Sequence, residues 1–435
     1  MRFFSQSSLW SELSRYHLLV FIGCWLGGIF DGMDSTLMAV VLPVAVSHLS
    51  GSEDKAIISQ IGSWITALFL LGWTLGGILF GWLGDRYGRV KAMAGSILLY
   101  SVFTGLAGLA QNWPELAACR FLTGLGIGGE LVTIATFLTE VWPARSRAIA
   151  IGLLITSYQA GVFLAGGLHY LLHDWRITFF IGALPALLVV LIRTTLKESD
   201  RWLSVMHQPR HPQPETQKTP ERGLHLETEP SGVFKTLLQP KYRRSLWVGC
   251  LLFGALLIGY WASLSWIPTW IQSLLPFESD GSHERSLATM SQAIAAIMGC
   301  SAAGILSDRF GRKLTLAVGM LGSLVASIWM FGGTTVFSSL IYLQSAALGF
   351  FIGLVQATLY IYLPELFPTR ARASGTGFCL NAGRILTSAA VLVMAPLVTL
   401  LGGYGPAALA FSGVYGLGAI TLLFARETRG QALLD

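Results

Sequence analysis

The sequence predicts an all-α membrane protein: twelve transmembrane helices in two pseudo-symmetric six-helix bundles. Three observations carry that class. Of the 435 residues, 53% are hydrophobic and only 12% charged, whereas a soluble domain carries about 25% charged residues, so the chain lacks the polar surface to cover itself in water. Several apolar runs exceed roughly 20 residues, long enough to cross about 30 Å of hydrocarbon as helices and too long for the short alternating spans of a β-barrel. Finally, motifs of the first half recur in the second.

Each helix is set off by its breakers. The first, 17–48, runs from HLLVFIG to LPVAV; the second, 57–83, ends at DRYGRVK. The third, 91–110, stops before QNWPE, and the fourth, 114–140, before WPARSR. The fifth and sixth occupy 147–172 and 175–195. A polar stretch at 197–243 follows, rich in Pro, Lys, Arg and His (RHPQPETQKTPERG), too polar to span and expected to be a soluble linker with short surface helices. After PKYRR the seventh helix takes 244–274. The eighth, 286–307, leads into DRFGRK. The ninth, 313–333, ends at GGTT; the tenth, 337–364, precedes FPTRAR; the eleventh, 372–401, ends at LGGYG; the twelfth, 405–425, ends at RETRG. The expected organisation is a bundle over 1–196, the linker, and a bundle over 244–435.

The formal charge of +6 is sorted by side. Lys55, Arg176 and Arg285 fall on one side, and Arg120 and Arg384 lie within helices. All the other lysines and arginines fall on the opposite side, in the even-numbered turns, the linker and both ends. Basic residues stay cytoplasmic, so both termini are expected in the cytoplasm of a multi-pass plasma (inner) membrane protein, and the charge is an orientation signal with no role in nucleic-acid binding. The first apolar run is long and lacks a small-residue cleavage site, so no cleavable signal is expected. Cys24, Cys119, Cys250, Cys300 and Cys379 sit in apolar spans without metal spacing and read as small core residues.

GWLGDRYGR at 81–89 recurs as GILSDRFGR at 304–312, and EVWPARSR at 140–147 as ELFPTRAR at 365–372, displaced by 223 and 225 residues. Two homologous bundles in the same orientation form a transporter architecture, with the substrate site between the halves at mid-membrane. TGLGIGGEL at 123–131 is glycine-rich, yet no strand precedes it; its glycines permit close helix packing and do not cradle a dinucleotide. The chain has no G-x-x-x-x-G-K-S/T stretch to bind ATP. With no nucleophile–base pair or metal cluster either, an enzyme is not expected, nor is a cofactor.

On these motifs the chain resembles the major facilitator superfamily over essentially its whole length. Gly81, Asp85, Arg86, Gly88, Arg89 and Lys91 match its signature after the second helix; Gly304, Asp308, Arg309, Gly311 and Arg312 match the second copy; and Arg120, Gly124 and Gly128 match its fourth-helix pattern. KESDRWL and RETRGQALL look like motifs of sugar porters. WLGGIFDGMDSTLMAVVLP, with its Asp-Gly-x-Asp element, and GGELVTIATFLTEVWPARSRAIAIGLLITSYQAG resemble the sialate and aromatic-acid proton symporters. The fifth-helix Gly-Pro motif of drug–proton antiporters is absent from YQAGVFLAGG, against multidrug export.

Four ionisable residues fall in the central part of the bilayer: Asp31, Asp34, Glu130 and Arg384. At about 1.5 Å per residue, the aspartates lie roughly 20–25 Å along the first helix. A charge at a helix centre costs about 2.5–3.5 kcal/mol, so such residues face a cavity and pair. Asp31 and Asp34, three apart, share a helix face; two close carboxylates in low dielectric cannot both stay ionised comfortably, which suits proton coupling. The alternative for either is a structural bond to backbone or a nearby Arg. Glu130 is a second proton site or the counter-charge of Arg384. The planar fork of Arg384 matches a carboxylate, with a fixed partner such as Glu130 or an aspartate as its structural alternative. Gln159 is its repeat-mate in the fifth helix. Tyr260, Trp261, Trp266, Gln356 and Asn381 complete the candidate substrate wall, core packing being the alternative for the aromatics. Asp85, Arg86, Arg89, Glu140 and Arg147, with Asp308, Arg309, Arg312, Glu365 and Arg372, are candidates to hold the inner side shut in one of two interconverting states.

The expected activity is proton-coupled uptake of a small organic anion, such as a sialic, aromatic or other carboxylic acid, by alternating access in a monomer. A proton-coupled sugar or polyol transporter is the alternative, and a non-transporting nutrient sensor of the same fold a further one. The seventh helix carries Leu256 and Gly259 where the first carries its aspartates, which puts proton handling in the first half.

Overall fold

The computed structural model describes residues 13–52, 54–171, 175–206, 233–263, 267–275 and 282–434. Among them every regular element is helical. The first half holds α1 (Arg15–Ser50), α2 (Lys55–Tyr87), α3 (Arg89–Ala107), α4 (Trp113–Val141), α5 (Arg147–Leu171), α6 (Trp175–Ile181) and α7 (Pro185–Thr195). Two short helices follow, α8 (Asp200–Met206) and α9 (Val233–Leu237). The second half holds α10 (Pro240–Ser263), α11 (Ile267–Leu274), α12 (Ser282–Phe310), α13 (Arg312–Phe331), α14 (Leu340–Glu365), α15 (Arg372–Leu401) and α16 (Tyr404–Thr421). Eleven spans of the described residues are long and apolar enough to cross a membrane; α15, at 30 residues, makes the twelfth of the fold. Most of RHPQPETQKTPERG lies outside the described residues, as does Trp266.

The sixth expected helix is two pieces. Pro185 has no N–H to give the Ile181 carbonyl, and the chain tightens there into a three-residue turn in which Leu184 N donates to that carbonyl at 3.0 Å. The first helix starts earlier than its hydropathy, because Ser14 and His17 form a reciprocal cap that carries Arg15 and Tyr16 into the helix.

Within the first bundle α2 packs on α4, α1 on α5 and α3 on α4; in the second, α12 packs on α14, α10 on α15 and α13 on α14. The bundles meet chiefly through two helix pairs, α2 with α15 and α5 with α12. Lipid tails are as apolar as leucine, so helices in a bilayer associate through close backbone approach at small residues. Both crossings are built that way, from repeat-mates. At the first, a Cβ on Gly81 would stand 2.7 Å from the Ala373 carbonyl, and one on Gly377 would strike the Gly77 carbonyl. At the second, a Cβ on Gly152 would stand 2.9 Å from the Cys300 carbonyl, and one on Gly304 would strike Ile149. Gly81 pairs with Gly304 in the repeat, and Gly152 with Gly377.

Candidate functional site

Between the bundles lies a cavity of about 970 Å³. It reaches Leu42, Ile58 and Gly62 at the end where α1 hands over to α2, opposite the face that carries the basic loops. Its wall is largely apolar and aromatic, with Trp73, Tyr158, Phe253, Tyr260, Trp261 and Tyr360 around Arg384. Among the described lining residues Arg384 is the one charged group; Gln159, Gln356, Thr66, Thr74 and Thr387 add neutral polar atoms. Gln159 and Arg384, matched by the repeat, thus face the same space from opposite bundles. Arg384 lays its guanidinium carbon 3.9 Å from the Trp73 ring centre.

Asn381 departs from its expected place. Three residues before Arg384 on α15, it is 1% exposed, donates to the Gly377 carbonyl at 2.8 Å and lies against Gly77 of α2, outside the cavity wall. One helical turn separates the part of α15 that crosses α2 from the part that faces open space.

The three central carboxylates sit behind the wall, inside the first bundle, and they divide. Asp34 is held by Arg120 of α4, with Nη1 to Oδ1 at 3.2 Å and Nη2 to Oδ2 at 2.9 Å, while Thr104 of α3 donates to Oδ1 at 2.7 Å. Asp34 therefore has the structural bond that the sequence left open, and it does not pair with Asp31. Asp31 and Glu130 are fully buried, and none of their four carboxylate oxygens has a hydrogen-bond partner at close range among the described residues, the Ser35 hydroxyl bearing on Asp31 and the Tyr100 hydroxyl on Glu130 from farther off. The charges of Arg384 and Asp34 bear on Asp31, and that of Asp31 bears on Glu130. Beside them the Tyr100 hydroxyl, also buried, bears on Glu130, and the buried Ser157 hydroxyl has no close hydrogen-bond partner among the described residues. Gly27 and Gly28 of α1 leave the room into which the Glu130 carboxyl and the Ser157 hydroxyl fit. A buried carboxyl without a close donor has to be neutralised from elsewhere, by a proton or by a nearby cation such as Arg384.

Below the cavity the signature motifs close the basic face. Asp85 accepts from the first-turn amides of α15, Ala373 N at 3.1 Å and Ser374 N at 2.8 Å, where the positive end of a helix favours a carboxylate. Arg89 ties Asp85 at 3.1 Å, Glu140 at 2.9 Å and the Thr369 carbonyl at 2.7 Å; Arg372 reaches across from α15 to Glu140 at 2.8 Å. Among the described residues the ion pairs of the second copy stay within its own bundle: Arg312 pairs with Asp308 at 3.1 Å and Glu365 at 2.9 Å. Arg147, repeat-mate of Arg372, makes no ion pair among the described residues and donates weakly to the Trp142 carbonyl at 3.4 Å; the Glu365 charge still bears on it. Arg86 and Arg309 stand outside both clusters. They are exposed and lie over rings, Arg86 over Trp82 and Tyr87, Arg309 over Phe310.

Two glutamates adjoin these clusters, and both stand in the sequence motifs that follow the sixth and twelfth helices. Glu198 accepts from Val90 N and Lys91 N, each at 3.1 Å, and Glu427 from Arg312 N at 2.9 Å and Lys313 N at 3.0 Å. Each caps a helix that starts after a glycine of positive φ, Gly88 at 114° and Gly311 at 95°. Partial burial works against the Glu427 carboxylate, but the amides of Arg312, Lys313, Arg429 and Thr428 outweigh it and hold the group below the usual glutamate range.

Sequence reasoning missed Trp73, Tyr158 and Tyr360. Tyr158 adjoins Gln159 in SYQAG, a usable signal; Trp73 and Tyr360 sit in apolar runs with nothing to separate cavity from core.

A model of the Major Facilitator Superfamily matches residues 24–379. The niacin transporter NiaP of Acinetobacter baylyi is 30% identical over 431 residues, 96% of this chain and 95% of that protein. The sialic acid transporter NanX of Escherichia coli K12 is 29% identical over 406 residues, 91% and 87% of the two chains. Among solved structures, the proton:xylose symporter XylE superposes with a TM-score of 0.77 at 16% identity over 96% of this chain and 98% of that one, a likeness of fold alone. With the family model matched over most of its length and a relative of 30% identity covered nearly end to end, the chain belongs to the major facilitator superfamily and is a multi-pass membrane transporter.

Proposed function

We propose that the chain imports a small organic anion together with protons, working as a monomer in the plasma (inner) membrane with both ends in the cytoplasm. The observation that carries this reading is Arg384, the one charged group of the described lining, set in an apolar and aromatic wall. Polyols need many donors and acceptors; this wall offers a guanidinium and a few neutral groups, which suits a carboxylate on an apolar body. Relatives named for niacin, sialic acid and cis,cis-muconate transport agree with an organic-acid substrate.

Coupling follows from charge. With Asp31 ionised, its charge and that of Arg384 offset one another. Binding the substrate carboxylate beside Arg384 adds a negative charge to a dry site, and a proton on Asp31, shared with Glu130, restores the balance. The loaded site is then as neutral as the empty one, so both can cross the closed intermediate, whereas the half-loaded site pays the cost of an unpaired buried charge. Closure of the basic face by Asp85, Arg89, Glu140 and Arg372 goes with a cavity open toward the outside, ready to load.

The test is a panel of labelled acids and neutral sugars offered to the purified protein in vesicles, with and without an inward proton gradient. Carboxylates are expected to accumulate only with the gradient and to lose uptake in Arg384→Gln. Competition by neutral sugars alone would sink the reading.

A further inference from the structure

Beyond α16 the chain turns back under the second bundle, and its side chains fasten it there. Tyr362 of α14 donates to the Arg426 carbonyl at 2.8 Å, and Thr428, 5% exposed, donates to Glu365 at 2.5 Å. Gly430 makes the turn at a φ of 70°, a region that favours glycine. Gln431 closes that turn. Its backbone N donates to the Thr428 carbonyl at 3.1 Å, while its side-chain amide accepts from Arg426 Nη2 and donates to the Glu427 carbonyl, each at 2.8 Å. Leu433 then buries its side chain. These contacts deliver one backbone atom, the Leu434 carbonyl oxygen, to the foot of α15.

There it accepts from three donors: Thr369 N at 3.1 Å, Thr369 Oγ1 at 3.2 Å and Arg372 Nη2 at 2.7 Å. Both residues are ones that reach the first bundle. Arg372 Nη1 donates to Glu140 of α4 at 2.8 Å, and the Thr369 carbonyl accepts from Arg89 Nη2 at 2.7 Å. Arg372 is fully buried, and its Nε is taken by the Pro364 carbonyl at 3.1 Å. A guanidinium donates only in its own plane. Two carbonyls of the second bundle, Pro364 and Leu434, therefore fix that plane and leave Nη1 aimed at Glu140. Without Leu434, Nη2 and the Thr369 amide lose an acceptor in a buried setting, and the guanidinium is free to swing off its target.

We infer that the stretch 431–434 is a positioning element for closure of the basic face: the Leu434 carbonyl orients Arg372 and Thr369 toward the first bundle and so sets how firmly the cavity is shut on that side. Leu433 anchors the stretch, and Gly430 gives it the turn it needs. This role concerns closure alone and holds whatever substrate the cavity takes.

The test is thiol labelling, from the basic side of oriented vesicles, of a cysteine placed at Gln356 in an otherwise cysteine-free protein. A chain stopped after Gly430, and Leu433→Asp in the full-length chain, are each expected to label about fivefold faster or more, the weight of a hydrogen bond to a charged group. Leu434→Ala keeps the carbonyl and is expected to label at the parent rate. In a Glu140→Gln background both arginines have already lost the carboxylate they share, so the same two changes are expected to add little. Unchanged labelling in the shortened and Leu433→Asp proteins overturns the inference. So does an equal fold increase with and without Glu140, which is what a stretch that merely stabilised the bundle would give. A rise in Leu434→Ala as large as that of the shortened chain overturns it too, since the side chain would then be the contributor.

Discussion

At the scale of single residues, Asp31 and Asp34 show how three positions on one helix decide between two roles. Both are buried, and both point away from lipid, but Asp34 is bonded by Thr104 and Arg120 while Asp31 has no close hydrogen-bond partner among the described residues. The sequence showed their shared face and could not show which neighbours would arrive from 70 and 86 residues away. Their substitutions should therefore part. Asp31→Asn is expected to lower gradient-driven accumulation by at least about tenfold while leaving substrate binding and downhill exchange in place; normal accumulation in vesicles would remove Asp31 from the coupling. Asp34→Ala strands the Arg120 charge in a dry core, a loss of about 3–5 kcal/mol, read as a lower unfolding temperature in detergent. Replacing both partners with apolar residues of similar size should recover most of it. An Asp34→Ala protein as stable as wild type would contradict the buried pair.

At the scale of helices, the crossings and caps carry the mechanism. Gly81, Gly152, Gly304 and Gly377 let the bundles touch backbone to backbone near the basic face, so a branched residue there must wedge the gate. Gly377→Val is expected to lose uptake and to let a water-soluble thiol reagent applied from the basic side reach a cysteine placed at Gln356 severalfold faster; unchanged labelling would show that this crossing is not the seal. The cap at Glu427 has a pH signature. Its carboxylate is held below the usual glutamate value of 4.5, so it contributes stability above that value and loses it as pH falls through the lowered one. Glu427→Gln should flatten the acid limb of the stability curve and leave the neutral region lower by a constant amount. The sixth helix teaches a related point: hydropathy averages over Pro185, while one missing N–H breaks the element.

At the scale of the whole molecule, twelve helices and two repeats were legible because composition, run length and motif displacement each report on them directly. The cavity wall was legible only where a polar residue stood in an apolar run, as with Arg384, Gln159 and Gln356; Trp73 and Tyr360 look like any core aromatic until the bundles are placed. Asn381 is also a polar residue in an apolar run but sits one turn off the cavity, and Arg147 was misplaced because the repeat tells which residues correspond and not which of the two copies is engaged. Among the described residues the ion pairs of the basic face are lopsided: the first copy reaches across to α15, and those of the second stay within its own bundle. Glu140→Gln should accordingly loosen closure of the basic face far more than Glu365→Gln, measured by the same thiol labelling, and equal effects would contradict the asymmetry. On the proposed coupling, one proton on the Asp31 side accompanies one acid held by Arg384. The most direct measurement is proton and acid flux recorded together in vesicles made with wild-type and Asp31→Asn protein. Wild type should take up protons in step with the acid and accumulate it against its gradient, while Asp31→Asn moves acid only downhill with no proton signal; acid accumulation without accompanying protons in wild type would contradict the account.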